Sequence, residues 1–279
     1  MIVVQHFIQS VLRGISVRTC FSAAIMTIMM VLLLEQATAQ SASDKGLQVA
    51  NAVRATETGY GGFTADVVMT LRNRQGQESN RELRFKQIET DDANQRVIFA
   101  FDTPRDVKGT AFLVHKFRTK ADDQWLYLPA LKRVKRISSS NRSGSFMGSE
   151  FAYEDMSSPE VEKYMHTWLL DEACGNLTCA VIEMVPLEKG SGYSRQLRWI
   201  DTGAYRTWKV EFYDRRNAHL KTLTLSGYNQ HAGKHWRASD YKMVNHLTGK
   251  STDLRWANYD FNANLSARDF TQTGLRRVR

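Results

Sequence analysis

The chain has 279 residues, with 38 Lys and Arg against 29 Asp and Glu and a formal net charge of +9. That length is one large domain or two small ones, ample for a hydrophobic core. The basic excess would suggest nucleic acid in a cytosolic protein, but the N-terminus directs the chain elsewhere and excludes that partner.

Arg13 and Arg18 supply positive charge, and no acidic residue precedes Glu35. Between them and Glu35 runs the uncharged stretch Cys20 to Leu34, rich in Ile, Met and Leu. Ala37 and Ala39 then fit the −3 and −1 positions of a signal-peptidase site, so residues 1–39 read as a cleavable export signal. A bilayer span needs about 20 apolar residues, and this stretch is shorter. No lipobox-like cysteine follows the apolar core. The mature chain is expected to start at Gln40 and to work in the periplasm. Without the signal's two basic residues and one acidic residue its balance is +8. The anionic partners available there are lipid headgroups, other membrane glycolipids and acidic proteins.

Cys174 and Cys179 are the cysteines outside the signal. Their spacing is wrong for a CxxC redox motif and too sparse for zinc, so a structural disulfide is expected in an oxidising compartment.

In chain order, residues 44–57 place Leu47, Ala50 and Val53 at helical intervals and predict a short amphipathic helix. From Phe63 the period becomes two: Phe63, Ala65, Val67, Met69 and Leu71 alternate with mainly polar residues, as in a strand with one buried face. A second strand carries Leu83 and Phe85, and a third, Arg96–Phe101, carries Val97, Phe99 and Phe101. Further strands are expected at Ala111–Lys116 and Gln124–Leu128, as an antiparallel meander. Leu131–Ile137 is densely basic. Ser138–Glu150 is rich in Ser and Gly and holds only Phe146 and Met147 as large apolar residues. Ser158 and Pro159 read as the cap and first residue of a helix running to Leu170, with Val161, Tyr164, Met165 and Trp168 on one face. Strands resume at Ala180–Pro186, Tyr193–Asp201, Thr207–Asp214, Leu220–Tyr228, Tyr241–His246 and Thr252–Asn258. The total is about eleven strands in a single, mainly β domain over residues 40–279.

The run Trp125–Met156 (WLYLPALKRVKRISSSNRSGSFMGSEFAYEDM) resembles the signature of the outer-membrane lipoprotein-sorting family, the LolA-like group. It combines W-x-Y-L-P, a basic run, a small-residue loop ending in F-M-G-S-E-F, and Y-E-D. Phe101-Asp-Thr-Pro104, Lys108-Gly-Thr110, Trp199-Ile-Asp201 and Val210–Asp214 also look like that family. The resemblance implies an incomplete antiparallel β-barrel whose open side is covered by helices and which encloses an apolar cavity. It implies a periplasmic carrier for lipid or lipoprotein acyl chains, associated with a membrane transporter of the resistance-nodulation-division (RND) type. On that reading Trp125, Tyr127, Phe146, Met147 and Trp168 are candidates for the cavity or its lid. The rival is an interaction module without lipid cargo, binding a protein segment at an open barrel edge.

Catalytic signatures are lacking: there is no G-x-S-x-G elbow, P-loop, H-E-x-x-H or glycine fingerprint. His231 and His235 form the close histidine pair, but Gly233 and the absence of an acidic or Cys ligand between them argue against metal. Neither an enzyme nor a cofactor is expected. Lys132, Arg133, Lys135 and Arg136 read either as a solvated strand edge that discourages aggregation or as a patch for transient contact with an anionic membrane surface.

Overall fold

Period-two alternation shapes nearly all of the chain in the computed structural model, which describes residues 40–90 and 94–278. The expected signal over residues 1–39 lies outside those residues. Contacts divide the chain into Met1–Asp44 and Lys45–Arg279. Of the first unit, residues 40–44 are helical. The second opens with the continuation of that helix to residue 57, here α1, where the sequence places it.

Six strands follow as a meander: β1 (Gly62–Arg72), β2 (Glu78–Glu89), β3 (Gln95–Thr103), β4 (Ala111–Lys116), β5 (Asp123–Leu128) and β6 (Arg133–Ile137). After a long crossing segment come β7 (Tyr164–Cys174), β8 (Leu177–Pro186), β9 (Tyr193–Asp201), β10 (Thr207–Asp214) and β11 (His219–Ser226). A small hairpin, β12 (Asn229–His231) and β13 (His235–Arg237), precedes β14 (Asp240–Asn245), β15 (Ser251–Asp260) and the short helix α2 (Gln272–Leu275). Thirteen strands form one sheet, in the order β6-β5-β4-β3-β2-β1-β15-β14-β11-β10-β9-β8-β7. Every recorded pairing is antiparallel, and Met69 of β1 against Leu254 of β15 joins the two halves. The sheet is not closed: β6 and β7 are its unpaired edges. This is the incomplete barrel, with more strands than the eleven read from sequence.

The apolar residues of β1–β3 meet across strands in register, Val67 opposite Leu83 and Phe85 opposite Phe99. They join Val210, Phe212, Met243 and Leu254 from the other half in one buried cluster, so the sheet curls around a shared core. The outer face of β2–β5 is covered by the C-terminal segment, whose Phe270 and Leu275 pack with Ile98, Ala111 and Leu113. β3 and β4 are therefore buried on both faces, and their near-continuous burial follows.

Of the two elements that flank the crossing segment, the first is the strand edge that the sequence allowed and the second differs from the sequence reading. The basic run folds as edge strand β6, where Arg133, Lys135 and Arg136 are exposed. The helix expected from Pro159 to Leu170 is instead one 3₁₀ turn, Val161–Lys163, followed by strand β7. Val161, Tyr164, Met165 and Trp168 do share a helical face, but Tyr164, His166 and Trp168 also share a strand face. Pairing with β8 along its whole length, from Tyr164 opposite Pro186 to Cys174 opposite Leu177, selects the strand. Cys174 and Cys179 close that hairpin as a disulfide with Cα atoms 5.8 Å apart. Among the described residues, no helix is long and apolar enough to cross a membrane.

Candidate ligand cavity

The segment between β6 and β7 joins the two free edges and runs through the mouth of the half-barrel. Its residues Phe146, Phe151 and Met156 are buried in the main core. The rest is held by polar links. Asp155 accepts the Ala152 backbone N–H at 2.7 Å and the Lys221 ammonium at 2.7 Å. Glu154 accepts from the Gly192 N–H at 2.8 Å and the Ser191 hydroxyl at 2.8 Å. Burial, with Asp155 beside it, pushes the Glu154 carboxyl above its ordinary range, against those hydrogen bonds. Lys116 Nζ lies 2.7 Å from Glu160 Oε1, both buried.

Behind this segment a cavity of about 850 Å³ remains between the sheet, residues 151–161 and α1. α1 contributes Ala50, Val53, Arg54 and Glu57 to its lining. The helix sits directly on edge strand β7: a Cβ on Gly46 would fall 2.7 Å from the Trp168 backbone nitrogen. Arg54 and Arg118 both donate to Glu162 and tie α1 and the end of β4 to the turn before β7. Although burial opposes it, these guanidiniums hold the Glu162 carboxyl down at about 2.

The sheet wall of the cavity is largely apolar, with Phe85, Phe99, Ile182, Ile200, Val210, Leu223 and Leu254. Polar groups are set within it. Burial raises the Tyr164 phenol well above its usual range, and burial with Glu57 nearby pushes Tyr241 up to about 12. Both stay neutral hydroxyls at any physiological pH. Arg198 lines the cavity too, and burial lowers its guanidinium. A volume in the range of roughly 300–1,000 Å³, mostly apolar with a few convergent polar groups, suits a small amphiphilic ligand. Among the described residues no cluster of three or more His, Cys, Asp or Glu could hold a metal ion. His231 and His235 face each other across the β12–β13 hairpin.

A family model described only as an uncharacterized protein matches residues 93–277. The Vibrio parahaemolyticus domain named for outer-membrane lipoprotein sorting is 49% identical, with a TM-score of 0.82 over 84% of this chain and 100% of that one. The chain belongs to the LolA-like lipoprotein-sorting family. A DUF1329 family protein from Desulfovibrio piger is 27% identical, with a TM-score of 0.79 over 84% of this chain and 99% of that one. A LolA superfamily protein from Nitrosomonas europaea, 20% identical, shares the fold with a TM-score of 0.62 over 85% and 98% of the two chains. No curated protein matches.

The LolA-like half-barrel distributes the five aromatic and Met candidates away from the cavity lining. Trp125 and Tyr127 alternate to the outer face and pack with the C-terminal cluster, Trp125 with its ring 4.9 Å from His115. Phe146 is fully buried, 5.2 Å ring to ring from Phe112. Met147 packs against the same core, in a left-handed conformation (φ 51°), and its carbonyl accepts from Arg81 at 2.5 Å. Trp168 packs beneath α1 with the Lys45 ammonium 3.6 Å above its ring. In the basic run, Arg136 is paired with Asp123. Lys132, Arg133 and Lys135 have no ion-pair partner among the described residues. Sequence reasoning missed Arg198, Gln196 and the α1 contribution. The missed signal was an amide and a charge spaced by two, Gln196 and Arg198, which share one face of strand β9.

Proposed function

We propose that the protein is a non-enzymatic carrier that buries an acyl chain of a lipid or lipoprotein in this cavity and releases it to an acceptor. The observation that carries the reading is the 850 Å³ cavity, walled by apolar strand residues and covered by α1 and the segment between the two sheet edges. Moving about sixteen methylenes from water into such a pocket is worth on the order of 10 kcal/mol, at roughly 0.8 kcal/mol each. Tight binding therefore needs no covalent chemistry, and release needs movement of the cover. Family membership and the charge, apolar core and Ala37–Ala39 pattern support work in the periplasm after removal of residues 1–39, with 40–279 as one half-barrel domain. The same resemblance supports an RND-type transporter as partner. The exposed cations of β6 favour transient contact with an anionic membrane face, at about 1 kcal/mol per residue near the surface.

The test is uptake of the uncharged dye N-phenyl-1-naphthylamine by purified protein, its displacement by long-chain lipids, and mass spectrometry of what co-purifies. A chain that takes up no dye and carries no lipid overturns the carrier. The interaction-module reading draws support from Met165 and Leu169, exposed on edge strand β7. Binding of a partner segment unaffected by lipid would favour it.

A further inference from the structure

Arg198 stands in a cross-strand row that is otherwise apolar. Its direct neighbours are Ile182 on β8 and Val210 on β10, and the row continues through Leu223 to Met243. Side chains directly opposite one another in an antiparallel sheet share a face, so the guanidinium rises from the apolar floor of the cavity. Arg198 is half-buried there, and a cation set on an apolar floor keeps a strong demand for partners for its N–H groups. Its recorded partner is the Gln196 amide oxygen, 3.2 Å from Nε and 2.8 Å from Nη2. That uses two of its five N–H donors.

The other cations of the lining are engaged. Lys116 is paired with Glu160, and Arg54 and Arg118 share Glu162. Arg237 donates to the Trp236 carbonyl and lies 5.5 Å over the rings of Tyr60 and Phe63. Arg198 has neither a carboxylate within ion-pair distance nor a ring beneath it among the described residues. Glu57, also in the lining, acts on it only at longer range, and Asp155 is already held by Lys221. A guanidinium presents its remaining donors as a planar fork that matches the two oxygens of an oxyanion.

Resting on the carrier reading, we propose that the cargo is an amphiphile with an anionic end, a carboxylate or a phosphate, which enters head first and is seated by Arg198 with Gln196 behind it. A neutral acyl ester would leave those donors unmatched, a penalty that sites built for hydrogen bonding impose strongly.

The experiment is displacement of N-phenyl-1-naphthylamine from the mature protein by hexadecanoate, hexadecyl phosphate and hexadecanol, with wild type and Arg198→Met. The expected result is at least tenfold tighter binding of one or both anions than of the alcohol by wild type. In Arg198→Met that preference falls to less than threefold while alcohol binding and melting temperature are kept. Whichever anion binds more tightly names the head group. Equal displacement by anions and alcohol in wild type overturns the anchor and leaves the carrier standing. So does a preference that survives in Arg198→Met. Dye uptake without displacement by any of the three, or no dye uptake, overturns the anchor together with its cargo class. Should Arg198→Met fail to fold, Gln196→Leu gives the second reading: the anchor requires a weakened anion preference there, and an unchanged one counts against it.

Discussion

Lys116 of β4 and Glu160, three residues before the end of the crossing segment, are joined nitrogen to oxygen at 2.7 Å, with both side chains almost wholly out of solvent. Lys116 also donates to Gln95 at 3.0 Å, so its ammonium is doubly satisfied. The pair fastens the rim of the cavity to the sheet. Removing one partner strands a buried charge, which costs about 3–5 kcal/mol. Glu160→Ala is therefore expected to lose that much in urea denaturation. Lys116→Met with Glu160→Leu should recover most of it, because the pair's desolvation cost disappears with the pair. A single variant that loses under 1 kcal/mol would show that the latch is not closed in solution.

Phe146 tests what fixes the segment at its other end. Its ring meets Phe112, Tyr153, Phe101 and Phe99 at centroid distances of 5.2 to 6.0 Å. Phe146→Ala is expected to cost about 3–5 kcal/mol, the range for truncating a buried aromatic. Dye affinity of the folded fraction should be unchanged, since Phe146 is not in the cavity lining. Retained stability with altered uptake would instead make this residue a moving lid.

Glu162 gives a pH signature. Its folded value of about 2 lies below the ordinary 4.5. A depressed carboxylate contributes stability that is complete above its unfolded value and is lost as pH falls through 4.5 toward 2. The group is partly exposed, so solvent screening reduces the effect to about 1–2 kcal/mol. Between pH 5 and pH 2.5, wild type should lose that much more stability than Glu162→Gln in parallel urea titrations. Equal losses would mean that Arg54 and Arg118 do not hold the carboxylate in solution.

The strands of the first half were legible because Phe63–Met69 and Leu83–Phe85 alternate, and because Val97, Phe99 and Phe101 share a face on the same core, although Ile98 and Ala100 fill the other face of that strand. Strand β9 was legible as a strand but not by face. Leu197 and Trp199 look like the inward side, yet they pack outward with Cys179, Val181 and Trp208. That small outer cluster lets Gln196 and Arg198 point inward. A one-residue parity choice decides the chemistry of the cavity, and only the partner strands settle it. β7 escaped for a related reason, since its pattern satisfies both periods until β8 is known. The aromatic candidates failed to mark the cavity because aromatics fill the outer face and the core as readily as a pocket.

Gly46 offers a sharp test of the cavity's helical wall. An exposed helical glycine changed to alanine normally gains up to about 1 kcal/mol from helix propensity. Gly46 is buried against β7, and an added Cβ would meet the Trp168 nitrogen at 2.7 Å and Thr167 backbone atoms at 2.8 Å. Backbone of a paired strand cannot swing aside, so α1 must lift. Overpacking of this kind costs about 1–3 kcal/mol, enough to outweigh the propensity gain. Lys45, whose ammonium sits over Trp168 and 3.0 Å from Asp171, is a milder control. Both charges of that ion pair are well exposed, so Lys45→Ala should cost under about 1 kcal/mol. Gly46→Ala is expected to lower the melting temperature and, because Ala50, Val53 and Glu57 ride on the same helix, to weaken dye binding. Lys45→Ala should do little to either. A Gly46→Ala variant as stable as wild type, with unchanged dye affinity, would mean that α1 does not rest on the edge strand and that the cavity has a different wall.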